Sequence, residues 1–393
     1  MEKFGIYIHL PFCIQKCSYC DFSTSPWEDG NFEDDYIFSL KNEIKSWSRY
    51  FIDQLGLSHP KTIYFGGGTP SLISVKNILS ILETFEKYGF NLGSVEEITL
   101  EVDPGTLQKE KLDEFAKSGV SRFSLGIQSF NDDYLSRVGR IHRGKDSRQL
   151  LEWINQGGYN FTADLLFGIS EQGLDHLDFD LNSLLSFEPN HISAYVLTVP
   201  DRHKLKIDAP SDKELVEMFC LIKDKLSQKG IHQYELSNYA KPGFESKHNM
   251  IYWQDSPYWG VGMSSHSYLK SRPYGLRFWN PSSIKNYSTW AMKEWSDRDI
   301  EEHFDSEGEE LSLRESLFDY LHTSLRLVSG MKMDSVIEKF NPKIAKTVEQ
   351  RFLKLKKLGL MHCNKERWAV SDQGRFVFNK VLEELTFSSN EVD

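Results

Sequence analysis

No stretch of this sequence comes near the ~18 consecutive apolar residues that a bilayer-crossing helix needs. The N-terminus also lacks the pattern of a secretory leader. Phe4 to Leu10 reads as a strand, without a basic region, a long apolar stretch and a cleavage site. Both absences predict a cytoplasmic protein. Positive charge is in short supply too: 46 Lys and Arg against 57 Asp and Glu give a net charge of −11. That is the wrong sign for neutralising phosphates, so nucleic acid is not an expected partner. Cysteine is scarce, at five. Three crowd between positions 13 and 20 while Cys220 and Cys363 stand alone, which excludes a disulfide framework.

What is present is a repeated alternation. Short apolar, β-rich runs occur at Gly5–Leu10, Thr62–Phe65, Ile98–Val102, Arg122–Ile127, Thr162–Phe167 and Ile192–Leu197. Amphipathic stretches such as Val75–Lys87, Lys109–Lys117, Ser147–Asn155 and Asp212–Lys229 lie between and after them. Strand followed by helix, about six times over, predicts an α/β fold: a partial (β/α)6 TIM-like barrel over residues 1–240, with its chemistry at the strands' C-terminal ends. Residues 241–300 form an aromatic-rich region. Residues 301–393 read as a smaller, α-rich, winged-helix-like C-terminal domain, with helices at Arg314–Leu325, Met333–Phe340 and Ile344–Leu358 and a closing hairpin. The acidic stretch Asp297–Glu310 reads as a solvated linker. Cys220 is placed on the apolar face of Leu215–Leu226, and Cys363 just before the hairpin; neither is given a metal role.

Cys13, Cys17 and Cys20 form C-x3-C-x2-C on the loop after the first strand. Thiolates so spaced can wrap one [4Fe–4S] cube and leave one iron open to a small molecule. A structural zinc would normally take four ligands, and no fourth Cys or His follows closely; His9 reads as a packing or hydrogen-bonding residue of the strand. Gly66–Gly68 end the second strand and allow close backbone approach, without the G-x-x-x-x-G-K-[ST] of a phosphate loop. Glu101, Gln128, Arg140 and Asp164 recur at or just beyond successive strand ends, where a carboxylate can accept from an ammonium and Arg can fork a carboxylate. Each taken singly reads as an ordinary structural polar group.

The cysteine motif, the strand before it and the Gly66-Gly67-Gly68-Thr69-Pro70 after it resemble the radical S-adenosylmethionine (SAM) superfamily. That resemblance implies an open iron that binds SAM's amino and carboxylate groups, and an electron route for cleaving SAM to a 5′-deoxyadenosyl radical. Glu101-Val102-Asp103-Pro104, Gly126-Ile127-Gln128-Ser129-Phe130, Arg140-Ile141-His142 and Asp164-Leu165-Leu166-Phe167-Gly168 are similar to the subfamily that holds anaerobic coproporphyrinogen dehydrogenase and the HemW-type heme chaperones. By that likeness Tyr7, Gly67, Gly68, Thr69, Glu101, Gln128, Arg140 and Asp164 contact SAM, with Tyr19 a further cofactor-binding residue. Ser170 stands where the subfamily usually has Pro.

Within the subfamily the alternatives are a heme carrier and an enzyme that oxidatively decarboxylates coproporphyrinogen. Phe22 occupies the position of the dehydrogenases' further cysteine, and the first strand begins within a few residues of Met1, without their N-terminal extension. His248-Asn249-Met250-Ile251-Tyr252-Trp253 matches the HNxxYW motif that the resemblance links to heme binding. Residue type alone favours a plainer role, His248 hydrogen-bonding its loop while Tyr252 and Trp253 pack in the core. His266 is a second heme-ligand candidate, in a loop where Met263, Ser264 and Ser265 replace smaller residues. The resemblance thus implies a chaperone that carries a [4Fe–4S] cluster, SAM and heme as cargo, with cluster and SAM regulating assembly or release. It assigns no catalytic residue. Implied partners are heme, heme-accepting apoproteins and an electron donor. A homodimer and a transient membrane contact stay open.

Overall fold

The computed structural model describes residues 2–27, 33–200, 202–388 and Glu391. Its centre is six parallel strands in sequential order: β1 (Gly5–Leu10), β2 (Thr62–Gly67), β3 (Glu97–Val102), β4 (Arg122–Gln128), β5 (Phe161–Phe167) and β6 (His191–Val196). Both faces of these strands are covered, so their sequences are apolar runs rather than strict alternations. Ile6, Ile8, Ile63, Phe65, Leu100, Leu125, Ala163 and Ile192 are buried outright. The connecting helices pack amphipathic faces on the sheet; Val75–Lys87, for example, turns Ile78, Ile81, Leu82 and Phe85 inward and is capped by Ser74.

The aromatic-rich region completes this sheet. Tyr258–Val261 pairs parallel with β1 on the side away from β2, with Gly5 opposite Tyr258. His266–Leu269, Leu276–Trp279 and Gly308–Glu310 continue it antiparallel. Asn238–Ala240 pairs antiparallel with β6 and His232–Gln233 with Asn238–Ala240 in turn, giving twelve strands among the described residues. β1 is therefore an interior strand, and one hydrophobic core runs from Phe4 to Phe304.

The acidic stretch is not a linker. Asp297–Glu307 is a helix capped by Ser296, and Gly308–Glu310 is the outermost strand. Ile300, His303 and Phe304 share one buried face of that helix and pack toward Trp47, while most of the acids face water. The charge count concealed the amphipathic spacing. Cys220 differs as well: its helix, Asp212–Gln228, buries Met218, Ile222 and Leu226, and Cys220 lies off that line, exposed.

Residues 313–387 build a separate core that includes Leu317, Leu321, Val336, Val348 and Phe352. Helices Leu313–Arg326, Met333–Lys339 and Pro342–Lys357 pack with a three-stranded sheet in which Arg367–Val370 lies between Met331–Lys332 and Met361–Asn364. This is the winged-helix-like unit; Cys363 is within its hairpin rather than ahead of it. Among the described residues, no helix is long and apolar enough to cross a membrane.

Candidate functional site

The C-terminal ends of the barrel strands enclose a cavity of about 480 Å³. Cys13, Cys17 and Cys20 all line it. Their loop is pinned on several sides: Trp27 N–H donates to Cys13 O (2.8 Å), Ser18 N–H to Val138 O (3.1 Å), and Cys20 N–H to Cys17 O (3.2 Å). Gly139 lies so close that a Cβ there would stand 3.2 Å from Ser18 N, in a backbone with φ of +79°. Thr69 Oγ1 donates to Cys13 Sγ at 3.6 Å. Burial raises the Cys13 thiol above its ordinary range, against that hydrogen bond. The Cys17 thiol is raised by burial too, with Arg140 opposing.

Gly68 explains the glycine run. A Cβ on it would meet Pro11 and Phe12 backbone at 2.6 Å, and its N–H donates to Leu10 O (2.8 Å). The glycine loop thus lies directly against the chain entering the cysteine motif. Gly67, at φ +116°, sits under the His9 ring and donates its N–H to Glu101 Oε2 (3.1 Å).

Glu101 accepts also from Tyr64 O–H (2.8 Å); burial dominates and lifts its carboxyl to about 7. Burial raises Asp164 as well, although Ser124 donates to it (3.3 Å). Asp103 behaves oppositely. Burial would raise it, but His142, Arg140 and the Gly105 N–H outweigh that cost and hold its pKa below the usual value. Arg140 donates one N–H to Asp103 (2.6 Å) and another to Gly126 O (3.3 Å), while its Nε is buried without a partner. Gln128 lines the wall with φ of +64°, beside a register shift between β4 and β5. A non-glycine residue held there marks strain spent on aiming a side chain.

The cavity therefore brings together Tyr19, Gly67, Gly68, Thr69, Glu101, Gln128, Arg140, Asp164 and Asn249 with the three cysteines. Tyr7 is not on its surface; its hydroxyl is engaged by His9 Nδ1 (3.1 Å), while His9 Nε2 holds Ser23 O (2.9 Å). The HNxxYW segment splits. It is a short helix, Lys247–Trp253, whose first N–H groups are taken by Glu97 at the start of β3. Asn249 reaches the cavity, but His248 is 1% exposed. Its Nδ1 is bonded to Thr62 Oγ1 and its Nε2 to Tyr252 O–H, each at 2.8 Å. Burial lowers its pKa to about 3, so the ring is neutral and fully engaged. Trp253 lies under Arg326, at 4.3 Å. These three residues build the barrel floor and present no free ligand atom to the cavity.

Tyr64, Arg122, Ser124, Ser193 and Tyr195 also line the cavity and carried no expectation. A signal for them exists: each is an inward polar residue at period two within an apolar strand, as in Arg122-x-Ser124-x-Gly126-x-Gln128.

Chemically, three thiols at the mouth of a cavity walled by three carboxylates, Glu101, Asp103 and Asp164, and by the guanidiniums of Arg122 and Arg140 can hold a thiolate-bound metal centre and a small zwitterion bearing extra positive charge. Among the described residues, no three His, Cys, Asp or Glu are placed to hold a single metal ion. A cubane takes each thiolate on a different iron, so convergence on one point is not required.

Comparison with known proteins identifies the family. Residues 7–183 match the radical SAM superfamily model. The heme chaperone HemW of Bacillus subtilis is 31% identical over 385 residues, covering 96% of this chain and 97% of that one. The Haemophilus influenzae heme chaperone HemW is 36% identical over 68% of this chain and 71% of its own length. Among solved structures, Escherichia coli coproporphyrinogen III oxidase (HemN), a radical SAM enzyme, superposes with a TM-score of 0.78 at 19% identity, over 98% of this chain and 90% of that one, a likeness of fold. With likeness to HemW proteins running nearly end to end, the chain belongs to the HemW heme chaperone family of the radical SAM superfamily.

Proposed function

We propose that this protein binds heme and delivers it to apoproteins, with a [4Fe–4S] cluster on Cys13, Cys17 and Cys20 and SAM in the adjoining cavity. The observation that carries the reading is the rim of that cavity. Ile14, Phe22, Ile141, Tyr195 and Val196 all line it, and each is 41–61% exposed. An uncovered apolar ring around a polar pocket fits a flat, largely apolar macrocycle, since exposed apolar clusters of this kind mark binding surfaces.

The residues fit the two cofactors. Three pinned thiols supply the donors of a cluster, and a cluster so held offers an open iron and a one-electron route. Glu101 and Asp164 would balance SAM's ammonium and sulfonium charges, and the unpartnered Nε of Arg140 would serve as a donor for its carboxylate. Asn249, presented by the floor helix, adds an amide from below. His248 acts by holding that helix in place.

The test offers heme and coproporphyrinogen in parallel to anaerobic, cluster-reconstituted protein, with SAM and a reductant. Stoichiometric heme binding without porphyrinogen turnover is the expected result, and Phe22→Glu should weaken it. Repeated decarboxylation would make the protein an enzyme and overturn the chaperone reading.

A further inference from the structure

A second concavity lies where strands His266–Leu269 and Leu276–Trp279 meet helices Ile284–Ala291 and Asp297–Glu307, a groove of about 1160 Å³. Its surface includes Trp279, Trp290 and Trp295. Trp290 and Trp295 pack around His303, with ring centroids 5.6 and 5.3 Å from it. His303 is only 9% exposed and lines the groove, yet its Nε2 has no partner; the buried Trp290 Nε1 has none either. Four carboxylates, Glu294, Asp299, Glu302 and Glu307, stand against one ammonium, Lys293. Two are engaged locally, Asp299 in the helix cap and Glu302 with Arg298 at 2.8 Å.

This surface asks for a ligand with a flat face, positive charge and several donors. Heme does not match, although His266 faces the groove, because its anionic propionates would meet four carboxylates. A guanidinium does match: it stacks on indole, carries five N–H donors and no acceptor, and keeps its charge at any physiological pH. The chain itself sets Lys293 Nζ 5.6 Å from the Trp295 ring centre. Burial lowers the pKa of His303, leaving a neutral ring able to accept a hydrogen bond.

We propose that this groove docks an arginine-bearing segment of a partner protein, its guanidinium stacked on the 39%-exposed Trp279 and donating to Glu302, Glu307 and His303. The groove also borders the cluster loop. Ser264 lies on its surface and accepts a hydrogen bond from Ser23 (2.8 Å), three residues past Cys20. The proposal is independent of whether the chain carries heme.

Fluorescence anisotropy on the full, cluster-loaded chain tests it, using labelled peptides in which glycines space arginines, lysines or glutamates. The arginine peptide should bind, the lysine peptide several-fold more weakly, and the glutamate peptide not at all. Trp279→Ala, and separately Glu302→Gln with Glu307→Gln, should each weaken arginine-peptide binding about tenfold. All three side chains are exposed, so circular dichroism and iron content should match the parent. Any of three results would overturn the proposal: equal affinity for arginine and lysine peptides, full affinity in folded variants, or displacement of the arginine peptide by heme.

Discussion

Histidine, tyrosine, threonine and serine occupy both ends of the barrel, and their surroundings differ. At the floor, His248 lies between Thr62 and Tyr252, and His191 in the same manner between Thr162 (2.5 Å) and Tyr234 (2.9 Å). Each ring nitrogen there is used, and burial holds both imidazoles neutral. At the rim, Arg140 keeps an idle Nε, none of the three thiols is in a disulfide, and Glu101 is buried with no cation bonded to it. The two floor histidines find all their hydrogen-bond partners internally, as buried polar groups usually do. The rim leaves capacity for something to arrive. Residue type alone does not separate the two; partner saturation does.

That contrast breaks most visibly at the cysteines. Replacing Cys13, Cys17 or Cys20 by Ser should abolish the brown cluster absorbance after anaerobic reconstitution, and iron analysis should show nearly complete loss. Full iron content in all three variants would erase the rim's assignment. A floor substitution should behave otherwise. His248→Ala strands the Thr62 and Tyr252 hydroxyls and opens a void, costing about 2–4 kcal/mol in denaturant unfolding. Heme bound per folded molecule should stay at the parent value. A specific loss of heme, beyond that of an exposed-histidine control such as His232→Ala, would move the floor into the binding site.

A pH titration sharpens the rim further. Burial lifts the Glu101 carboxyl to about 7, and on the proposed reading its anion would attract SAM's positive charge. SAM affinity should therefore rise with pH, roughly tenfold between about pH 6 and about pH 8. Glu101→Gln should flatten that profile in equilibrium dialysis. The smallest effect belongs to the Ser23–Ser264 contact between the cluster loop and the neighbouring groove. Ser264→Ala should cost under about 1 kcal/mol of stability, by thermal unfolding, and leave iron content unchanged.

The barrel strands were legible because each is a compact apolar run, and the cysteines because their motif is local in sequence. Tyr64, Arg122 and Ser193 were marked only by their period-two polarity within apolar strands; that they meet in one cavity follows from closure of the sheet, which spacing along the chain does not show. The floor shows a different obstacle. His248 and Tyr252 stand four residues apart, visible as a pair, yet Thr62 and Glu97, which engage the helix, come from distant strands. The helix Asp297–Glu307 hid behind its own charge, with Ile300 and Phe304 alone marking the buried face. Tyr7 lies on the first strand off the cavity surface, its hydroxyl engaged by His9.

The interior position of β1 has a consequence for biosynthesis. Its partner on one side begins at Thr62, but on the other Gly5 waits for Tyr258, about 250 residues later. At roughly 5–20 residues per second of synthesis, that edge stays unpaired for on the order of tens of seconds. The cysteine loop hangs from the end of this same strand, so a nascent chain displays its metal-binding thiols well before the wall behind them exists. Premature termination anywhere before Tyr258 would leave β1 as a sticky edge rather than a smaller working barrel.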